Sequence, residues 1–349
     1  MSDRGAWYRS SDPAPCVPRT FKRAARDVLL SWLPVPDVKG ATVVVHSRRT
    51  FPVMTWRGLR SEYHGFFSEF QSVLGALAFA EAGGAAAVRV DFESPLYVDR
   101  NRGPNWWTYY FRDQVMPVGA PGSATHDVEL DGVVTKYGRY GGFADLVQGK
   151  TPYLYPGTFG ISRVELHRLA TAFVSPRSEI LEEVARFTSA EFHPGAFVVG
   201  LHYRGTDATA AQRWKGRLTH YRTAPVPYRT YADEVRRVIE QAAPPEFQVF
   251  VATDESDCFE FMRREFGDRV IGVGDAPRVR SGGQAVHLDR TLAVSGYQKG
   301  KSALVDSLLL SSTDYLVKGR SNLSDASLVF SPSLPYSFLP DVALPRAAA

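Results

Sequence analysis

"VVGLHYRGTD", residues 198–207, runs from an apolar stretch straight into a histidine, an arginine and an aspartate. An apolar run of this length, "AFVVGLHY" (196–203), reads as a strand buried on both faces, the kind found in parallel sheets. Polar residues gathered at the carboxyl end of such a strand are where α/β proteins place their ligands. The sequence around it fits that reading. "YRTYADEVRRVIEQA" (228–242) has the period of an amphipathic helix, "FQVFVATD" (247–254) is a strand, and "SDCFEFMRREFG" (256–267) is a helix expected to be capped by Ser256. "RVIGVG" (269–274), "GKSALVDSLLLSST" (300–313), "DYLVKG" (314–319) and "SNLSDASLVF" (321–330) continue as strand, helix, strand, and loop opening a helix. Strands alternating with helices over 195–335 predict a Rossmann-like parallel sheet.

Toward the N-terminus a second unit of the same kind is expected. "ATVVVHS" (41–47) and "AAAVRVDF" (85–92) read as strands. Between them "RRTFPVMTWRGLRSEYHG" reads as a loop and "FFSEFQSVLGALAFAEAGG" (66–84) as a helix ending in Gly-Gly. The domain plan is therefore an irregular arm at 1–40, an α/β domain at 41–160, a helical connector at 161–194 broken at Ser175-Pro176, a second, Rossmann-like domain at 195–335 and a tail at 336–349. Residues 120–158 show no clear period. "GPNWWTYYF" (103–111) is either core packing or an aromatic platform for a sugar or base.

Composition narrows the function. The 349 residues carry 41 Lys and Arg against 37 Asp and Glu, a formal charge of +4. The arginines are scattered, which speaks against a nucleic-acid partner, while a mild positive charge favours an anionic ligand. Cys16 and Cys258 are far apart and lie in no metal-ligand spacing, so neither a disulfide framework nor a structural zinc is expected. "VLLSWLP" (28–34) is too short to span a bilayer; no membrane span is expected, and the expected location is cytoplasmic.

Three strands of the C-terminal half end in polar clusters. The first holds His202, Arg204, Thr206 and Asp207, the second Thr253, Asp254 and Glu255, and the third Ser321, Asn322 and Ser324 at a helix start. A helix N-terminus and an arginine fork together suit a diphosphate, and a carboxylate such as Asp254 suits a base or ribose. Each residue also fits a plainer role: His202 in the core, Arg204 in a surface ion pair, Asp254 and Ser324 as caps. No Walker A or GxGxxG sequence follows a strand, so neither ATP hydrolysis nor a nicotinamide dinucleotide is favoured.

"GLHYRGTD", "VFVATDE" and "GKSALVDSLLLSSTDYLVKGRSNLS" together resemble the three-motif pattern of the fucosyltransferase superfamily, over about residues 195–335. The resemblance implies a GT-B-like α/β fold of two Rossmann-type domains with a cleft between them, and an inverting transferase that uses GDP-fucose without a metal. It places Arg204 on the diphosphate and His202 in the same HxR element. Asp254 and Glu255 fall near guanine or ribose, Asp306 faces the nucleotide, and Ser321, Asn322 and Ser324 fall around the phosphates. It also leaves gaps. Gly205 and Ala208 stand where relatives often carry a second arginine and a lysine, with Lys299, Lys301 or Arg320 as substitutes. Gln212 stands where a glutamate base is sometimes proposed. The expected base is then Glu62 of "GLRSEYHGFFSEF", with Glu69 of the same stretch as its competitor and Asp207 as the nearby carboxylate of the C-terminal half; the plainer role for Glu62 is to cap the helix or pair with Arg60. A relative that uses another nucleotide sugar, or a non-catalytic nucleotide- or glycan-binding protein on the same scaffold, is the alternative. The acceptor (glycan, peptide or small molecule) and the oligomeric state are not specified by these motifs.

Overall fold

The structure is a computed structural model that describes residues 37–46, 51–55, 58–62, 65–119, 126–130, 163–205, 226–281, 286, 288–289, 291–319 and 321–339. The chain divides into two compact units that meet at Arg177 and Ser178. Each is built on its own largely parallel sheet, so the expected α/β class with two Rossmann-type domains is what the chain adopts.

In the first unit, β1 (Thr42–His46) is central. It pairs in parallel with β4 (Ala87–Asp91) on one side and β6 (Asp127–Leu130) on the other, while β5 (Val115–Pro117) runs antiparallel on the outer edge of β4. Val43, Val44 and Val45 are fully enclosed, as expected of a strand covered on both faces. The stretch read as a loop after β1 is instead a hairpin, β2 (Phe51–Thr55) against β3 (Gly58–Glu62). Helix α1 (Phe66–Ala82) follows and is buried from Phe66 through Ala80. Such all-round burial marks a helix inside the core rather than on its surface. Trp106 and Trp107, in a short 3₁₀ turn, are fully enclosed among Phe66, Phe70, Phe92, Tyr97, Tyr110 and Phe111. They are core, and an exposed sugar platform is ruled out for them. The unit ends in α2 (Arg163–Phe173) and the turn at Pro176, where Arg177 donates from its backbone to Tyr110 and from Nε to the Thr108 carbonyl at 2.7 Å.

The second unit begins with α3 (Ser178–Glu191) and then β7 (Phe197–Tyr203), so the expected connector is split between the two units. Helix α4 (Tyr228–Ala242), β8 (Phe247–Thr253), α5 (Ser256–Phe266), β9 (Val270–Ile271), α6 (Gly296–Ser311), β10 (Tyr315–Lys318), α7 (Asn322–Phe330) and β11 (Tyr336–Phe338) follow. Five parallel strands stand in the order β11-β10-β7-β8-β9. The stretch read as a tail thus opens with an edge strand. Alternate residues of β7 explain how both faces are covered. Val199, Leu201 and Tyr203 pack on Tyr231, Val235 and Val238 of α4 and Cys258 and Met262 of α5. Gly200 lies on the other face, where a Cβ would stand 2.8 Å from Thr313 Oγ1 and 3.1 Å from Leu310. Phe250 of β8 meets Phe187 of α3 on that same face. Among the described residues no helix is long and apolar enough to cross a membrane.

Candidate functional site at the end of the second sheet

The strand order sets the place. From β7 the chain moves outward to β8 and β9, then returns to the opposite side of β7 to form β10 and β11. The connections after β7 and β10 therefore leave in opposite directions, and the crevice this opens at the strands' carboxyl ends is the usual ligand position in a doubly wound sheet. Arg204 and Gly205 follow β7 directly, and Gly319 and Ser321 stand between β10 and α7. Ser321 is the N-cap of α7, accepting a bond from the Leu323 N–H at 3.3 Å. The start of α7, with its partial positive charge, and Arg204 at the end of β7 thus stand at the switch point. Ser324 is fully buried and donates to the Ser321 carbonyl at 3.3 Å, so its hydroxyl is committed to the helix start. Asn322, partly exposed, is the first residue of α7.

Beneath this crevice lies a buried polar layer. His202 pairs in register with Lys318 of β10 and Ala252 of β8, and is almost wholly enclosed. Burial, and then the charges of Arg204 and Lys318, push its imidazole down to about 3. It is therefore neutral at physiological pH and carries a single N–H, and its Nδ1 has no hydrogen-bond partner among the described residues. Lys318 is fully enclosed and pairs with Asp325 in the first turn of α7. This ion pair, absent from the sequence reading, ties the helix that flanks the crevice to the strand beneath it. Its sequence signal is a lone lysine closing the apolar run "YLVK", with an aspartate seven residues on.

At the end of β8, Asp254 and Glu255 take different parts. Asp254 Oδ1 accepts from the Gly205 N–H at 3.3 Å, and the Asp254 carbonyl accepts from the Val279 N–H at 2.9 Å. Glu255 is fully enclosed. Its Oε2 accepts from the Tyr228 hydroxyl of α4, and its backbone, without a side-chain bond, caps α5 in place of Ser256. Glu255, expected near guanine or ribose, is enclosed between Tyr228 and Gly205. A Cβ on Gly205 would stand 2.1 Å from Glu255 Oε1, so any side chain there would have to displace the Glu255 carboxyl.

On the side of α6, Asp306 faces Arg278. Burial pushes its carboxyl up to about 7; the nearby Arg278 opposes the shift and Asp275 adds to it. Burial also lowers the Arg278 guanidinium, which lies over the Phe259 ring at 4.3 Å and donates to the Val273 carbonyl at 2.9 Å. The candidate substitute cations are engaged elsewhere: Lys299 donates to the Asp289 carbonyl at 2.6 Å and Lys301 to Glu183 at 2.9 Å. Arg320, Asp207, Ala208 and Gln212 lie outside the described residues. Glu62 closes β3 in the first unit, opposite Phe51, and its side chain is not described. The structure therefore groups His202, Arg204, Asp254, Ser321, Asn322 and Ser324 at one sheet end, with Asp306 on the helix that leads into β10. Among the described residues no group of three or more His, Cys, Asp or Glu side chains is placed to hold a metal ion.

Fold and site together define an α/β protein with a charged crevice at the switch point of a Rossmann-like sheet. No protein-family model matches the chain, and no curated protein sequence matches it. Among solved structures it is similar to a NodZ α1,6-fucosyltransferase soaked with GDP-fucose, at 18% identity over 84% of this chain and 93% of that one, with a TM-score of 0.48. It is also similar to fucosyltransferase NodZ from Bradyrhizobium (18% identity, 83% and 93% covered, TM-score 0.46) and to an Arabidopsis thaliana FUT1 variant in complex with GDP (14% identity, 92% and 75% covered, TM-score 0.44).

Proposed function

We propose that the chain is a glycosyltransferase that transfers fucose from GDP-fucose to an acceptor hydroxyl with inversion and without a metal. The observation that carries this reading is the position of Arg204 at the end of β7, next to the β10-to-α7 connection, at the sheet's switch point. The three-motif pattern supports the choice of donor.

In the reaction the acceptor oxygen forms a bond to the anomeric carbon while the bond from that carbon to the β-phosphate oxygen breaks. The bonding pair leaves with GDP, and the acceptor proton passes to a base. Negative charge grows on the departing phosphate. A guanidinium fork and a helix N-terminus stabilise it without rearranging at the moment of transfer. Arginine supplies here the charge that a metal ion supplies in other transferases. A neutral His202 offers one N–H donor near the same anion. Asp254 and Asp306 serve the ribose or guanine, the latter once ionised. Glu62 takes the proton, with Asp207 as the competing base.

Water replaces the acceptor in the simplest assay. Incubation with GDP-fucose and excess EDTA should release GDP slowly, and a hydroxyl acceptor drawn from glycans, peptides or small natural products should speed it with formation of a fucosylated product. GDP binding without release from any GDP-sugar would favour the non-catalytic alternative. Release from UDP-sugars alone would reassign the donor.

A further inference from the structure

We propose that Glu255 is a positioning residue for Arg204: its enclosed carboxyl, tied to Tyr228, is the seat on which Gly205 lies, and it fixes the direction in which the arginine leaves β7. This rests on the diphosphate reading given above and adds a residue that acts through Arg204 rather than on the nucleotide.

Space comes first. A Cβ on Gly205 would meet Glu255 Oε1 at 2.1 Å, Cδ at 2.2 Å and Oε2 at 2.5 Å. All three atoms of one carboxyl group thus face the glycine, so a side chain at 205 would have to push the Glu255 carboxyl off its bond to Tyr228. The carboxyl is itself held. Tyr228 donates to Oε2, and Tyr228 in turn packs edge-on against Tyr203 with ring centroids 4.8 Å apart. The Glu255 N–H donates to Thr253 Oγ1 at 3.1 Å, and its backbone bridges to Val279. Gly205 is gripped from the preceding residue as well, through its N–H to Asp254 Oδ1 at 3.3 Å. Two consecutive residues at the end of β8 therefore fix the peptide that follows Arg204.

The remaining oxygen points to the same role. Glu255 Oε1 is buried and has no hydrogen-bond partner among the described residues. An ionised carboxylate left so would be costly. Burial, together with the charges of Asp254 and Asp257, raises this acid above the ordinary carboxylate range, while the Tyr228 bond lowers it. Small displacements of a group that contacts a reacting anion cost far more than their size suggests.

The test is a pair of double-mutant cycles read by GDP calorimetry and by thermal unfolding. Glu255→Ala should weaken GDP binding at least about tenfold when Arg204 is present, and by less than about twofold in an Arg204→Ala background, since the two losses then share one cause. Glu255→Gln keeps the shape and the bond to Tyr228 and should recover part of the affinity. Gly205→Ala should weaken binding on its own and weaken it less once Glu255→Ala has cleared the space. Equal losses with and without Arg204, or no loss in Glu255→Ala, would overturn the role. If Glu255→Ala does not fold, Glu255→Gln and Tyr228→Phe are carried through the Arg204 cycle instead. A wild-type protein that binds no GDP would overturn the nucleotide reading and this role with it. Wild-type binding with additive losses overturns this role alone, and the Gly205/Glu255 thermal cycle reports the contact in either case.

Discussion

The affinity for GDP-fucose should rise with pH through neutrality, with Asp306 as the cause. In the unliganded protein this carboxyl titrates at about 7. In the proposed contact a guanine or ribose donor is held far better by the ionised carboxylate than by the neutral acid, so binding is expected to release a proton wherever the pH lies below that value. With the proton lost on binding, the apparent affinity follows the ionised fraction: roughly nine-tenths at about pH 8, one-tenth at about pH 6 and one-hundredth at about pH 5. The expected change is about tenfold between pH 8 and pH 6, near 1.4 kcal/mol. GDP-fucose is the right probe because each of its phosphates is substituted on two sides and keeps no proton that titrates near neutrality, whereas the terminal phosphate of GDP titrates in the same window. His202 does not blur the curve, since it stays neutral above about 3. Fold stability must move the other way. A carboxyl raised in the folded state contributes stability that is complete below the ordinary carboxylate range and is lost as pH rises through about 7. Calorimetric affinities and unfolding midpoints over about pH 5.5 to 8.5 should thus show opposite trends, and Asp306→Asn should abolish both. A flat affinity profile in the wild type, or a slope that survives Asp306→Asn, would refute the reasoning.

Arg204→Lys should be nearly as damaging as Arg204→Ala, because an ammonium keeps the charge but not the two-pronged fork. Steady-state kinetics should show roughly 2–4 kcal/mol less transition-state stabilisation, and near-normal kcat/KM in Arg204→Lys would make the residue structural. Glu62→Gln should leave GDP-fucose affinity unchanged and lower kcat by about 10²–10⁴-fold, the size of a general-base contribution; unchanged turnover in single-turnover assays would move the base to Asp207. Asp325→Ala strands a fully buried lysine and should cost about 3–5 kcal/mol in denaturant unfolding, and pairing it with Lys318→Met should restore most of the loss.

Much of the second unit was legible because its strands are continuous apolar runs. "FVVGLHY" and "FQVFVAT" have no polar face, so their neighbours had to be helices on both sides, and their polar ends had to be the ligand side. What escaped the sequence reading was short, polar or long-range. Strand β6 holds the exposed Asp127 and Glu129, and only its pairing with β1 makes it a strand. The β2–β3 hairpin and the edge strand β11 are likewise fixed by partners rather than by pattern. Within the site, Arg204, His202 and the α7 cap follow from position along the chain. The seat under Gly205 joins residues 50 apart, and the Lys318–Asp325 pair needs the packing of α7 onto β10, which no periodicity encodes. Trp106 and Trp107 show the converse: an aromatic cluster reads alike as a platform or a core until its burial is known.

In the proposed reaction the β7/β10 crevice holds a guanosine diphosphate sugar through Arg204 without a metal. Titration calorimetry of GDP-fucose and UDP-glucose into the wild-type chain and Arg204→Ala, all in excess EDTA, tests it most directly. Saturable binding of GDP-fucose to the wild type, little or none of UDP-glucose, and a loss of at least about tenfold in Arg204→Ala are expected. Equal binding of both sugars, binding that needs an added divalent ion, or full GDP-fucose affinity in Arg204→Ala would contradict it.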